Sequence, residues 1–333
     1  MPFIENILKQ ESVSIVGLEK NTGKTETLNY ILRRISTMDT PIALTSIGVD
    51  GEDADRVTRT QKPEITIYEG MTFVTSEKHY QGRRLVSEIL DVSDEQTALG
   101  RLITARSVLS GKCLISGPSD TAGTKRLIKR LKELNIQTTL VDGALSRMSL
   151  ASPAVTDAMV LATGAALSAN ISQLVRQTRF VKRLIDIPAI HGKLASSLST
   201  VDSGIWAVDE SENIHDLGIR SIFLAEKSTK ELFNHGNKIY VSGLVSDKFL
   251  ETLRLQKKNV ELIVQDFTRL FLSPNVLDAY ERDGNTIRTL QQTNLIAVTI
   301  NPLAPNGICL NSDLLKEEMR EVLRIPVYDI KRI

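Results

Sequence analysis

Residues 12–32, SVSIVGLEKNTGKTETLNYIL, constrain the fold of this chain more than any other stretch. Val13, Ile15 and Val16 make a short apolar run, the mark of a buried strand. A turn bounded by Gly17 and Gly23 follows, then Lys24 and Thr25. Beyond it Leu28, Ile31, Leu32 and Ile35 recur at helical spacing, which predicts a helix opening near Lys24 with one apolar face. Strand, glycine turn, Gly-Lys-Thr and amphipathic helix, in that order, are the parts of a phosphate-binding loop. The first turn of a helix carries N–H groups without acceptors and the positive end of the helix dipole, so it attracts an anion. Glycine lets the backbone close around that anion where a Cβ would collide. The candidate nucleotide-binding residues are therefore Gly17, Lys20, Asn21, Thr22, Gly23, Lys24 and Thr25. Lys24 is expected on the β- and γ-phosphates, with the Thr25 hydroxyl on Mg²⁺. The other reading is a capped helix with a chance Gly-Lys-Thr; the flanking strand and helix favour the phosphate site.

A strand–helix rhythm continues from there. Residues 41–47 read as a second buried strand, leading into a glycine-broken acidic loop over 48–55. Asp50 and Glu52 in that loop are candidates for Mg²⁺ or water positioning, and a solvated acidic turn is the alternative. Short β-like runs at 65–67, 72–75, 85–90 and 101–104, divided by Gly70, Gly82 and Gly100, predict an antiparallel excursion. His79, Tyr80, Arg83 and Arg84 within it read as solvated surface. After a strand at 112–116, Gly117 and Gly123 repeat the spacing of the first loop, but Thr124 and Lys125 invert its Lys-Thr order. This predicts a capped helix over 121–134, with Ser119 or Asp120 as the cap. A strand at 137–141 ends in Asp142, placed as the carboxylate partner of Mg²⁺ or, alternatively, as an ordinary Asp-Gly turn. A further strand at 157–163 and a long helix close this half.

Residues 189–203 are small and polar, a plausible boundary. The expected organisation is a nucleotide-binding domain over 1–190, able to fold alone, and a second α/β domain over 204–333. Strand-like runs in the latter fall at 205–209, 221–224, 239–241, 261–265 and 295–300, with helices over 247–256 and 313–323. The Asn301-Pro302 break after the last of these strands is a candidate for lining a site, but no chemistry is legible in this third of the chain, and no internal repeat. A net charge of +1 gives no case for nucleic-acid or membrane binding. No apolar run approaches the roughly 20 residues that span a bilayer, and the first residues lack a signal-peptide core, so a cytoplasmic location is expected. Cys113 and Cys309 sit in apolar runs and read as buried free thiols. His191, His215 and His235 have no His or Cys close by in sequence, which disfavours a metal role. The metal-binding candidates are Thr25, Asp50 and Asp142.

Five residues separate Gly17 from Gly23, where the common loop has four. This longer form resembles the loop of dethiobiotin synthetase and its relatives in the SIMIBI class of P-loop proteins. Taken together, VSIVGLEKNTGKTETLNYIL, LTSIGVDGE and TTLVDGALSRMSLASPAVTDAMVLATGAA resemble the smaller reactivase subunit of lysine 5,6-aminomutase, most clearly through residue 170. The resemblance implies a P-loop NTPase-like, mostly parallel α/β sheet with an antiparallel excursion. It implies an accessory protein that works with a MutS-like ATPase subunit to restore an adenosylcobalamin- and PLP-dependent mutase. The functional residues it carries over are Gly17, Gly23, Lys24, Thr25, Asp50 and Asp142. No Asn-Lys-x-Asp guanine-reading motif occurs, which favours ATP over GTP. An ATP-dependent small-molecule ligase or kinase is the alternative function; whether the chain is itself an ATPase, and by which catalytic residues, is open.

Overall fold

The computed structural model describes residues 2–47, 65–144, 152, 155–201, 203–225 and 231–333. The chain forms two units, Met1–Arg179 with Asn294–Ile333, and Phe180–Thr293. The larger unit opens with helix α1 (Pro2–Leu8) and the fully buried strand β1 (Ser12–Gly17). Helix α2 (Lys24–Ile35) and strands β2 (Ile42–Ser46), β3 (Ile65–Ile67) and β4 (Thr72–Ser76) follow. Then come a short helix α3 (Glu77–Gln81) and two 14-residue strands, β5 (Arg84–Thr97) and β6 (Gly100–Cys113). Helix α4 (Thr121–Glu133), β7 (Thr138–Ala144), β8 (Ala158–Gly164) and α5 (Ile171–Ile185) complete this passage.

Every strand pair from β8 through β1, β7 and β2 to β4 is parallel, and β6 then runs antiparallel to β4, β3 and β5. The antiparallel excursion expected from the glycine-divided runs is thus present. The alternation of side chains along β2 shows how both faces are covered. Ile42 and Leu44 join the cluster of Phe3, Ile7, Leu28 and Ile31 from α1 and α2, while Ala43 joins Leu131 of α4. The side chain of Asp157 accepts hydrogen bonds from the N–H and the hydroxyl of Ser12, which ties the entry of β1 to that of β8.

The smaller unit holds α6 (Lys193–Ser199), β9 (Ile205–Val208), β10 (Ile214–Ile219), α7 (Ile222–Ala225), β11 (Lys238–Val241), β12 (Val245–Ser246) and α8 (Asp247–Arg254). Then follow β13 (Glu261–Val264), β14 (Leu270–Phe271), α9 (Pro274–Arg282) and β15 (Thr286–Thr289). Its mixed sheet has the order β10-β9-β11-β13-β15, in which β11, β13 and β15 are parallel. Strand, short strand, helix occurs twice in succession here, with the short strands β12 and β14 paired in parallel. The repeat lies in the elements and not in the residues, which is why no internal repeat is visible in the sequence. The run at 221–224, expected as strand, is helical from Ile222 onward, where α7 begins.

The chain then returns. Strand β16 (Asn294–Asn301) pairs in parallel with β8, helix α10 (Ser312–Leu323) crosses over, and β17 (Val327–Asp329) pairs in parallel with β16. The expected division at 190 and 204 is therefore corrected: residues 294–333 belong to the first unit, and the second is an insertion within it. The reason is the burial of β16, whose Ala297, Val298 and Ile300 are apolar on both faces and need a sheet interior.

Candidate functional site

All parallel strands of the large sheet end on one edge, so Gly17, Ser46, Asp142, Gly164 and Asn301 arrive there together. In open α/β sheets this is where ligands bind. From Gly17 the chain is held by the Leu18 N–H donating to the Ala162 carbonyl at 2.9 Å. The Thr22 hydroxyl donates to the Glu19 carbonyl at 2.8 Å, so Thr22 is buried and shapes the loop, while Lys20 and Asn21 stand exposed at its tip. Asn21 adopts φ 61, the left-handed region that a short polar side chain tolerates.

Gly23 opens α2 with φ 96 and supplies no side-chain cap. The Thr27 N–H donates to the Gly23 carbonyl at 2.9 Å, which starts the helical ladder and leaves the preceding N–H groups of the first turn facing the loop. The second glycine loop behaves differently. There the Asp120 carboxylate accepts the Gly123 N–H at 2.7 Å and caps α4, so that helix start already holds its own anion. The cap expected at Ser119 or Asp120 is Asp120; in the first loop the Glu19 carboxylate accepts the Lys20 N–H at 2.9 Å, and the start of α2 carries no side-chain cap.

Strand β7 lies directly beside β1, with Ile15 opposite Asp142. The Lys24 ammonium stands 2.8 Å from Asp142 Oδ1, the two side chains being 25% and 17% exposed. Asp142 Oδ1 is buried and makes no aligned hydrogen bond, so among the described residues its charge is answered by Lys24. A sheltered carboxylate oxygen with spare acceptor capacity beside a lysine, an uncapped helix start and a helical threonine suits a nucleotide phosphate with Mg²⁺. Thr25 is half-buried on the first turn of α2. Asp50 and Glu52 lie outside the described residues.

The Asn301-Pro302 break contributes as well. A Cβ on Gly23 would come within 2.7 Å of the Asn301 Cβ, and one on Gly164 within 2.2 Å of the Asn301 carbonyl oxygen. Asn301 is buried and wedged between the loop and the end of β8, its side-chain oxygen accepting the Leu303 N–H at 3.2 Å. Its proximity to Gly23 was invisible in the sequence, since the two lie 278 positions apart.

Two expectations about side chains are corrected, those for the His79–Tyr80 pair and for Cys309. His79 and Tyr80 are buried rather than solvated: His79 Nδ1 lies 2.5 Å from the Ser116 hydroxyl, and Arg83 covers the Tyr80 ring at 3.8 Å. Cys113 is buried, but Cys309 is exposed. His215 and His235, distant in sequence, stack ring on ring at 4.1 Å, with His215 Nε2 2.9 Å from Asp209. That contact, with two further hydrogen bonds from Asn213, holds the half-buried Asp209 carboxyl below its ordinary range. Among the described residues no cluster of three or more His, Cys, Asp or Glu side chains forms a metal cage. No helix among them is long and apolar enough to cross a membrane. Neither the models of known protein families nor the sequences of curated proteins match this chain.

Proposed function

We propose that the chain binds a nucleoside triphosphate with Mg²⁺ in the turn between β1 and α2, and that it does so as an accessory protein to a cobalamin-dependent aminomutase. The observation that carries the nucleotide reading is the Lys24–Asp142 contact at 2.8 Å, made where β1 and β7 end side by side. In this reading the first-turn N–H groups of α2 and the Lys24 ammonium hold the phosphates, and Thr25 and Asp142 hold the cation. When bound, Mg²⁺ would neutralise phosphate charge. Lys24 and Asp142 pair with each other in the ligand-free protein and would part to take phosphate and metal respectively. ATP is favoured over GTP because Asn237 and Lys238 lead into Ile239 and Tyr240 rather than a guanine-reading carboxylate.

Asp142→Asn is expected to leave folding and metal-free nucleotide binding intact and to lower Mg²⁺-supported affinity about tenfold or more. Calorimetry with and without EDTA measures this. Metal dependence that survives in Asp142→Asn and vanishes in Asp50→Asn would assign the metal to the other carboxylate.

The partner reading rests on resemblance: a MutS-like ATPase subunit and lysine 5,6-aminomutase, with exchange of inactive cobalamin for adenosylcobalamin as the action. A single phosphate site with no metal cage of three or more His, Cys, Asp or Glu side chains, among the described residues, suits a protein that uses nucleotide to change its affinity for another protein. The test is recovery of a turnover-inactivated mutase in ATP, Mg²⁺, adenosylcobalamin and the MutS-like subunit, with and without this chain. Activity should return only in its presence. Equal recovery without it would leave the ATP-dependent ligase or kinase as the better reading. That second reading is favoured by one observation, the buried His79–Ser116 contact at the end of β4, on the same sheet edge as Lys24.

A further inference from the structure

The smaller unit has a carboxyl edge of its own, formed by the parallel strands β11, β13 and β15, and polar groups gather there too. Gln265 follows β13 and Gln291 follows β15, with the Gln291 N–H donating to the Gln265 carbonyl at 3.0 Å. The Tyr240 hydroxyl, from the buried ring on β11, donates to Gln265 Oε1 at 3.4 Å. Burial pushes the Tyr240 phenol up to about 12, so it stays a neutral donor, and Arg269 is near enough for its charge to oppose that rise. Arg269 sits one turn beyond Gln265, its N–H donating to the Asp266 carbonyl at 3.1 Å.

Two atoms in this group are out of balance. Arg269 Nε is a buried donor and Gln291 Oε1 a buried acceptor, and among the described residues neither has a hydrogen-bond partner. Arg269 also makes no ion pair among those residues. Leaving buried polar atoms unmatched is unfavourable, and a chain that keeps one unmatched cation-borne donor and one unmatched acceptor at the same sheet edge is suited to a ligand that supplies both partners. A guanidinium presents a planar fork that fits a carboxylate, and an amide oxygen accepts from an ammonium or hydroxyl beside it. The position matches the chemistry, since the carboxyl ends of parallel strands are where open α/β sheets take small molecules.

We infer that this edge of the smaller unit is a second ligand site, taking a small α-amino or α-hydroxy carboxylate, with its carboxylate on Arg269 and its amino or hydroxyl group on Gln291 Oε1. The site is independent of the nucleotide loop.

The test uses the full chain, with thermal unfolding and calorimetry against the common L-α-amino acids, their α-hydroxy counterparts, acetate and inorganic phosphate. At least one α-amino or α-hydroxy acid should raise the unfolding midpoint by about 3 °C at tenfold over its Kd. Arg269→Met and Gln291→Met should each weaken that binding about tenfold or more. Without ligand the same variants should melt at or above the unsubstituted chain, because each removes a buried polar atom that had no partner. Lys24→Ala should leave this binding unchanged, which separates the site from the nucleotide reading. The inference is overturned if no α-amino or α-hydroxy acid binds, or if inorganic phosphate alone does. It is overturned equally if the two variants bind as well as the unsubstituted chain, or if unliganded they melt several degrees lower, the mark of a purely structural role.

Discussion

Lys24→Ala is expected to weaken ATP binding by about 2–4 kcal/mol, or about 30- to 700-fold, the usual consequence of losing a sheltered charged contact to phosphate. The size follows from where the ammonium sits. It lies on the first turn of α2, beside N–H groups that no side chain caps, and it is only a quarter exposed. Surface charges are weakened by solvent, whereas this one is partly withdrawn from it. The substitution also strands Asp142 Oδ1, which is buried and faces Lys24, so a modest drop in thermal midpoint should accompany it. The two effects are separable: adding Asp142→Asn to Lys24→Ala removes the stranded charge and should restore the midpoint without restoring affinity. Calorimetry on the single and double variants measures both. Unchanged affinity in a well-folded Lys24→Ala protein would remove the nucleotide assignment.

A fragment of residues 1–190 is expected not to fold, although the sequence suggests that it should. Ending the chain there deletes β16, α10 and β17, and with them the parallel partner that β8 meets from Ala158 to Gly164. Every residue of β8 is buried, so the fragment would expose the edge of a mostly apolar strand with its backbone groups unpaired. The deletion also takes away Ile296, Val298, Ile300, Leu315, Met319, Leu323, Val327 and Ile330, all buried. At about 1.5–3 kcal/mol for each large side chain, even a heavily discounted sum matches the 5–15 kcal/mol that stabilises a typical domain. At the other end, Phe3 of α1 would lose Tyr328, whose ring lies 4.8 Å away. Residues 180–293 should behave in the opposite way, having a five-stranded sheet and a core around Leu198, Tyr240 and Ile263 of their own. Circular dichroism and amide NMR dispersion of the two fragments check this; a well-dispersed spectrum from 1–190 would refute it.

What the sequence determined by itself is what neighbours along the chain can determine. The apolar run before Gly17, the glycine spacing, and Leu28, Ile31, Leu32 and Ile35 at helical intervals specify β1, the turn and α2, because each is a local preference of backbone and burial. The same holds for Asp142 at the end of an apolar strand, for a cap of α4 at Ser119 or Asp120, and for the antiparallel runs between Gly70 and Cys113. Strand periodicity, however, says that a face is buried and not which strand covers it. That β7 lies against β1, bringing Asp142 to Lys24, is a matter of pairing between residues more than a hundred apart. The return of β16 to β8, the wedge of Asn301 against Gly23, the burial of His79 on Ser116 and the stacking of His215 on His235 are all of this kind. So is the meeting of Gln291 with Gln265, since a lone glutamine after a short strand carries no signal until a second strand ends beside it. Tertiary structure decided these because parallel strands are joined by long crossovers, and the entropy of closing such loops depends only weakly on their length. Many pairings are then nearly equal in chain entropy, and the packing of whole buried faces selects among them.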